Sequence, residues 1–211
     1  MSLYNEVFEN NQKWIEEKQA NNSEFFEHLA TGQSPEILYI GCSDSRVTAE
    51  HMTGSEPGDM FVHRNVANLV PSNDLSSDSV IEYAVDHLKV KHVVVCGHYF
   101  CGGVKAAMTQ ADLGLLNPWI RNIRDVYRLH QAELDAIADE DARYNRLVEL
   151  NAIEQCVNVM KKPVWQKHHN AGNGPSVHAW VFDIQSGKLI DLNFDYEAKY
   201  KELHSNYDLG V

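Results

Sequence analysis

The sequence predicts an α/β fold: a central, mostly parallel β-sheet of four parallel strands plus an antiparallel edge strand, flanked by helices, with an N-terminal helical arm. Three observations carry this expectation. Short β-branched apolar runs alternate with longer stretches of helical period, the pattern of parallel strands joined by helical crossovers. Two of those runs close on glycine beside cysteine, at Gly41-Cys42 and at Cys96-Gly97-His98, so functional loops are expected at strand carboxyl ends. The last two runs are separated by the turn Gln185-Ser186-Gly187, which suits a hairpin.

Taken in order, residues 1–30 read as two helices, with Leu3, Val7, Phe8, Trp14 and Ile15 near helical spacing. Asn21-Asn22-Ser23 marks the break and the N-cap before Glu24-Phe25-Phe26. Glu36 to Gly41 is a short apolar run ending in glycine, a buried strand, and Phe61 to Val66 is a second. Ser79 to Leu88 has helical period through Val80, Tyr83, Ala84 and Leu88. His92 to Gly97 is the strongest strand, three consecutive valines closed by glycine. Gly102-Gly103 opens a short helix through Met108, and longer helices are expected near Pro118–His130 and Asp139–Met160. Val177 to Phe182 is the fourth strand and Lys188 to Leu192 the fifth. No repeat, low-complexity tract or linker interrupts the chain, which predicts one domain over 1–211 with the arm at 1–30.

Bulk properties narrow the function. A length of 211 residues is enough for one sizeable core. The formal net charge of −12 argues against a nucleic-acid partner, since phosphate binding needs clustered Lys and Arg. No apolar run reaches the ~20 residues of a membrane span, and the N-terminus has neither the basic start nor the apolar stretch of a signal peptide. These features predict a cytoplasmic chain. In a reducing compartment the four cysteines, Cys42, Cys96, Cys101 and Cys156, suit metal binding or burial better than disulfides.

The chemistry is expected in two loops. Cys42-Ser43-Asp44-Ser45-Arg46 follows the first strand directly, and His98-Tyr99-Phe100-Cys101 follows the third. Two adjacent strand ends bring two thiolates and one imidazole toward one ion; Zn²⁺ takes such ligands tetrahedrally, and three protein ligands leave a fourth position open. A lone cysteine after a buried strand is more often a small hydrophobe than a ligand. The second segment, with Asp44 and Arg46 at fixed offsets from Cys42, tips the balance toward metal.

These segments resemble the paired signature of β-class carbonic anhydrases of the bacterial type. The likeness extends through Phe61-Val62-His63-Arg64-Asn65-Val66-Ala67-Asn68, Glu82-Tyr83-Ala84-Val85 and Leu115-Leu116-Asn117-Pro118-Trp119, from about residue 30 to about residue 185. The resemblance implies one Zn²⁺ per subunit on Cys42, His98 and Cys101, with Asp44 and Arg46 as the catalytic dyad. It implies reversible hydration of carbon dioxide to bicarbonate and a proton, by zinc-bound hydroxide that the dyad orients. Two thiolates offset the ion's charge, so bound water should ionise somewhat above the ~7 of three-histidine sites. Gln33 and Tyr83 match positions that line the substrate pocket, although Tyr83 reads equally well as an aromatic on the buried face of its helix; Gly102, which with Gly103 permits close backbone approach, is expected to offer its N–H to substrate. Cys96 and Cys156 read as buried thiols. The family assembles as a homodimer or tetramer, which gives the amphipathic arm a place at a dimer interface.

Two departures stand out. Phe100 stands where the family carries a small residue. Some bacterial members have an inhibitory bicarbonate site built from Trp, Arg and Tyr; here Arg64 matches, but Tyr39 and Phe182 replace the other two, and Phe182 has no hydroxyl. Two rival readings remain open: a related hydrolase acting on a sulfur analogue of carbon dioxide, and a non-enzymatic zinc module with Asp44 as a permanent fourth ligand. A thiol phosphatase is disfavoured because three residues, not five, separate Cys42 from Arg46. Dinucleotide binding is disfavoured because no G-x-G-x-x-G follows a strand.

Overall fold

A computed structural model describes residues 3–210, apart from the side chain of His204. The chain divides into two compact units, Met1–Ser34 and Pro35–Val211. The first holds helices α1 (Leu3–Asn21) and α2 (Phe25–Ala30). No residue of α1 is buried, while Trp14 meets Phe25 and Phe26 edge-on at 6.2 and 5.4 Å, so the two helices are joined by aromatic contacts.

In the second unit the five expected strands are β1 (Ile37–Cys42), β2 (Met60–Asn65), β3 (His92–His98), β4 (Ser176–Asp183) and β5 (Lys188–Asp191). They form one sheet in the order β2-β1-β3-β4-β5. β1 runs parallel to β2 and β3, β3 parallel to β4, and β5 antiparallel to β4. β1 lies between β2 and β3, so its carboxyl end and that of β3 are neighbours: Gly41 lies opposite Cys96. This adjacency places the two expected loops side by side.

Between strands lie α3 (Ala49–Thr53), α4 (Leu75–Glu82), α5 (Gly102–Ala107), α6 (Asn117–Leu129), α7 (Gln131–Asp135), α8 (Glu140–Met160), α9 (Pro163–Asn170) and, last, α10 (Tyr196–Tyr207). The Asp74 carboxylate caps α4 by accepting from the Ser76 and Ser77 amides, and Asp139 caps α8 from Ala142 at 2.7 Å. Pro118 and Pro163 occupy the first turns of α6 and α9, where no amide proton is needed. After α4 the helix continues as a π turn, Tyr83–Leu88, and stops at Lys89 with φ 55°.

One sheet face presents Leu38, Ile40, Val93, Val95, Val177 and Ala179 to the helices. Opposite them sit Ile81 and Val85, Cys156, Val159 and Met160 of α8, and Trp165 of α9. The other face carries Tyr39, Val94, Cys96, Trp180 and Phe182, packed with Ala49 and Met52 of α3. A further cluster sits at the strand carboxyl ends. There Cys42, Cys101 and Val181 meet Val104 of α5, Ile120 and Ile123 of α6, and Leu147 and Val148 of α8. Among the described residues no helix is long and apolar enough to cross a membrane.

Candidate metal centre

The three expected ligand residues converge. Sγ of Cys42, Sγ of Cys101 and a ring nitrogen of His98 all lie within 4.8 Å of one another, and all three residues are buried. Among the described residues no other such group of His, Cys, Asp and Glu occurs. All four cysteines are free thiols, and Cys96 and Cys156 are buried as expected.

The donor set fits a tetrahedral thiophilic ion. The two sulfurs are 4.0 Å apart; thiolates on one tetrahedral zinc, with bonds of ~2.3 Å, stand ~3.8 Å apart. His98 Nδ1 is 2.9 Å from the Tyr99 carbonyl, which can only accept, so the ring proton sits on Nδ1. Nε2 is then left as a bare lone pair. It is fully buried and has no hydrogen-bond partner, an orphaned ligand atom aimed at the sulfurs' neighbourhood.

Electrostatics favour thiolate. The Cys101 thiol beside it draws Cys42 down to about 4; burial opposes this, while the Ala67 and Asp44 amides add to it. The same contact pushes Cys101 up, with burial, since a second negative charge at this spacing is resisted; the Val104 and Gly103 amides of α5 pull the other way. A cation placed between the sulfurs removes that resistance.

The loops are held by residues far away in sequence. Ala67, in the 3-10 turn Val66–Asn68, donates its amide to Cys42 Sγ at 3.3 Å from a left-handed backbone, φ 64°. Asn151 of α8 donates to the Ala67 carbonyl at 3.0 Å, and Trp119 of α6 to that of Val66 at 2.8 Å. A side chain on Gly103 would press on the Ala67 Cβ and the Val66 Cγ1, both at 3.1 Å, so glycine lets α5 approach this turn closely. Tyr144 of α8, buried, donates its hydroxyl to the Cys101 carbonyl at 2.7 Å. Asn151 and Tyr144 were not legible as site residues, because nothing local in the sequence marks them and the fold alone brings them here; Trp119 stood in a block of the family likeness, but without a role.

Asp44 and Arg46 form a close pair beside the cluster. Arg46 Nε donates to Asp44 Oδ1 at 2.9 Å, its Nη2 to Oδ2 at 2.7 Å, and its backbone amide to Oδ1 at 3.0 Å. The guanidinium holds the carboxyl well below the usual carboxylate range, against a smaller opposing effect of burial. Asp44 Oδ2 is 3.8 Å from His98 Nε2. Arg46 also reaches the Phe100 carbonyl at 3.3 Å and so ties the two loops together. Phe100 itself takes a left-handed φ of 61° and is half exposed.

The remaining expected residues are placed as follows. Gly102 opens α5 next to Cys101, and a Cβ there would meet nothing within 4 Å. Tyr83 is 45% exposed and stacks between Phe61 and His87, so its ring is not on a buried face. Gln33 is exposed and belongs to the N-terminal unit.

Comparison with known proteins gives the family and the fold. A family model described as carbonic anhydrase matches residues 37–189. The chain is 57% identical over 206 residues to a carbonic anhydrase of Emericella nidulans, covering 98% of this chain and 90% of that protein. It is 38% identical to one from Pseudomonas aeruginosa, covering 81% and 79%. Among solved structures, a β-carbonic anhydrase of Aspergillus fumigatus superposes with TM-score 0.89 at 41% identity, covering 97% of this chain and 98% of that one. A tetrameric β-carbonic anhydrase of Sordaria macrospora superposes with TM-score 0.86 at 42% identity, covering 90% and 97%.

Proposed function

The chain belongs to the β-carbonic anhydrase family, and from that premise we propose that it hydrates carbon dioxide reversibly at a zinc ion held by Cys42, His98 and Cys101. The observation that carries the reading is the convergence of two buried thiols and one orphaned imidazole nitrogen beside a carboxylate kept ionised. When bound, zinc supplies Lewis acidity, which makes water a competent nucleophile near neutral pH.

The protein's own groups do the rest. Cys42 and Cys101 as thiolates balance the ion's charge, and the Ala67, Gly103 and Val104 amides stabilise those thiolates. His98 Nδ1, fixed on the Tyr99 carbonyl, keeps Nε2 facing the centre. Asp44, ionised by Arg46, accepts a hydrogen bond from the nucleophile and aims its lone pair at carbon dioxide. Both Asp44 oxygens are engaged by Arg46, which supports Asp44 as a paired acceptor over the closed, non-enzymatic module in which it would be a fourth ligand. Gly102 borders open space beside Cys101 and is proposed to lend backbone to substrate, with Gln33 and Tyr83 as further substrate contacts.

The active form is proposed to be a cytoplasmic homodimer or tetramer, with the arm packing between subunits. A Sordaria relative is tetrameric. The inhibitory bicarbonate site is proposed to be absent, since Phe182 lacks a hydroxyl and the Tyr39 hydroxyl is buried against the Cys96 thiol. A stopped-flow assay of carbon dioxide hydration beside hydrolysis of carbon disulfide tests the reading. Hydration is expected to dominate and to show no sigmoidal inhibition by bicarbonate; turnover of the sulfur compound alone would sink it.

A further inference from the structure

Arg64 projects from β2, where the register sets it opposite Gly41. Its Nε donates to the Cys42 carbonyl at 2.8 Å, and its Nη2 donates to the Asp44 carbonyl at 2.6 Å and the Val47 carbonyl at 2.8 Å. Among the described residues it makes no ion pair with a carboxylate. One guanidinium thus spans both ends of segment 42–47, which carries Cys42, Asp44 and Arg46. The segment's other backbone ties are few: Ser43 to the Asn65 carbonyl at 2.8 Å, and the Val47 amide to the Asp44 carbonyl at 3.1 Å.

We propose that Arg64 is a positioning residue that fixes the backbone of 42–47 so that the Asp44 carboxylate stays on Arg46 and faces the Cys42–His98–Cys101 group. The proposal rests on the function proposed above. Of the three carbonyls, that of Asp44 is the one Arg64 grips most closely, at 2.6 Å, so the backbone that carries the carboxylate is tied at that residue. A planar fork is needed because the three carbonyls lie on a turn and must be met from one side by donors in fixed directions. A lysine ammonium offers three donors around a single point and cannot reach both Cys42 and Val47. The position that matches an anion-binding arginine in some bacterial relatives here grips three carbonyl oxygens.

The test is a double-mutant cycle of Arg64→Lys and Asp44→Asn, with zinc content, hydration rate and the visible spectrum of the cobalt-substituted protein measured on each. Arg64→Lys alone should keep the metal and lose hydration rate by roughly ten- to a hundredfold, with the loss in kcat. Its cobalt spectrum should change, because a released carboxylate alters what surrounds the ion. In the Asp44→Asn background the same Arg64→Lys change should cost little more, because its effect acts through Asp44. An equal loss in both backgrounds, or a wild-type rate and spectrum for Arg64→Lys, would overturn the proposal. So would loss of folding in both Arg64→Lys and Arg64→Gln, which would make Arg64 a scaffold residue. A wild-type chain without zinc or without hydration would defeat the proposed function instead, whatever Arg64 does.

Discussion

At the scale of single residues the site depends on charges kept in one state by their neighbours. Asp44 has both oxygens on Arg46, and charge-assisted pairs of this geometry are the strong ones. Asp44→Asn keeps the shape and removes the charge. It is expected to retain zinc while hydration falls by about a hundred- to ten-thousandfold, the usual worth of a positioned acid or base; an unchanged rate in a zinc-replete variant would remove Asp44 from the mechanism. Phe100 sets a different balance. A left-handed backbone costs a non-glycine residue roughly 1–2 kcal/mol, whereas glycine's extra chain entropy costs about 0.5–1 kcal/mol. Since the Phe100 ring is half exposed, Phe100→Gly loses little packing and is expected to raise the melting temperature slightly. Calorimetry showing a clear drop would mean that the ring packs usefully. The candidate metal ligands were legible because Cys42 and His98 close strands β1 and β3, Cys101 follows three residues later, and all sit in dense local motifs. Tyr144 and Asn151 were not, since their partners Cys101 and Ala67 lie 43 and 84 residues away, and Arg64 stood out in the sequence without its grip on the Cys42 carbonyl, 22 residues away, being readable.

At the scale of elements, all five strands fall within about two residues of the expectation, because β-branched runs between turn residues leave few alternatives. The helices were less legible. α3 and α7 are single short turns with no periodicity to read. α9 and α10 had signals that carried little weight alone, a Lys162-Pro163 start and an Asp195 cap. The helix expected from Ser79 begins four residues earlier at Leu75, because the Asp74 cap precedes the apolar periodicity. That cap supports a prediction. Burial alone would raise the Asp74 pKa, but the Ser77 hydroxyl and the Ser77 and Ser76 amides outweigh it and hold the pKa below its ordinary value. Asp74→Ala is therefore expected to cost about 1 kcal/mol, a fall of about 2–4 °C in a chain of this size. A folded pKa below the unfolded ~3.9 means the ionised form is the one favoured by folding. The difference between wild type and Asp74→Ala should be complete above that pH and shrink as pH falls through the folded value. A difference that grows on acidification would contradict the cap.

For the whole molecule, the N-terminal unit raises the question of what its apolar residues are for. Leu3, Tyr4 and Phe8 are each at least 70% exposed, and α1 buries nothing. Such a face on a stable helix suits burial between copies of the chain. Sedimentation at micromolar concentration should give a dimer or tetramer, and replacing Tyr4 and Phe8 with Glu should lower the mass toward the 24.0 kDa of one chain. A wild-type chain that sediments as an active monomer would refute the assembly. Everything in the account turns on zinc held by Cys42, His98 and Cys101 being the centre that hydrates carbon dioxide. The direct measurement is zinc content and stopped-flow hydration rate, taken together on wild type and on Cys101→Ser. Wild type should carry about one zinc per chain and hydrate carbon dioxide, and Cys101→Ser should lose both together. A Cys101→Ser protein that keeps its zinc and its full rate would contradict the account.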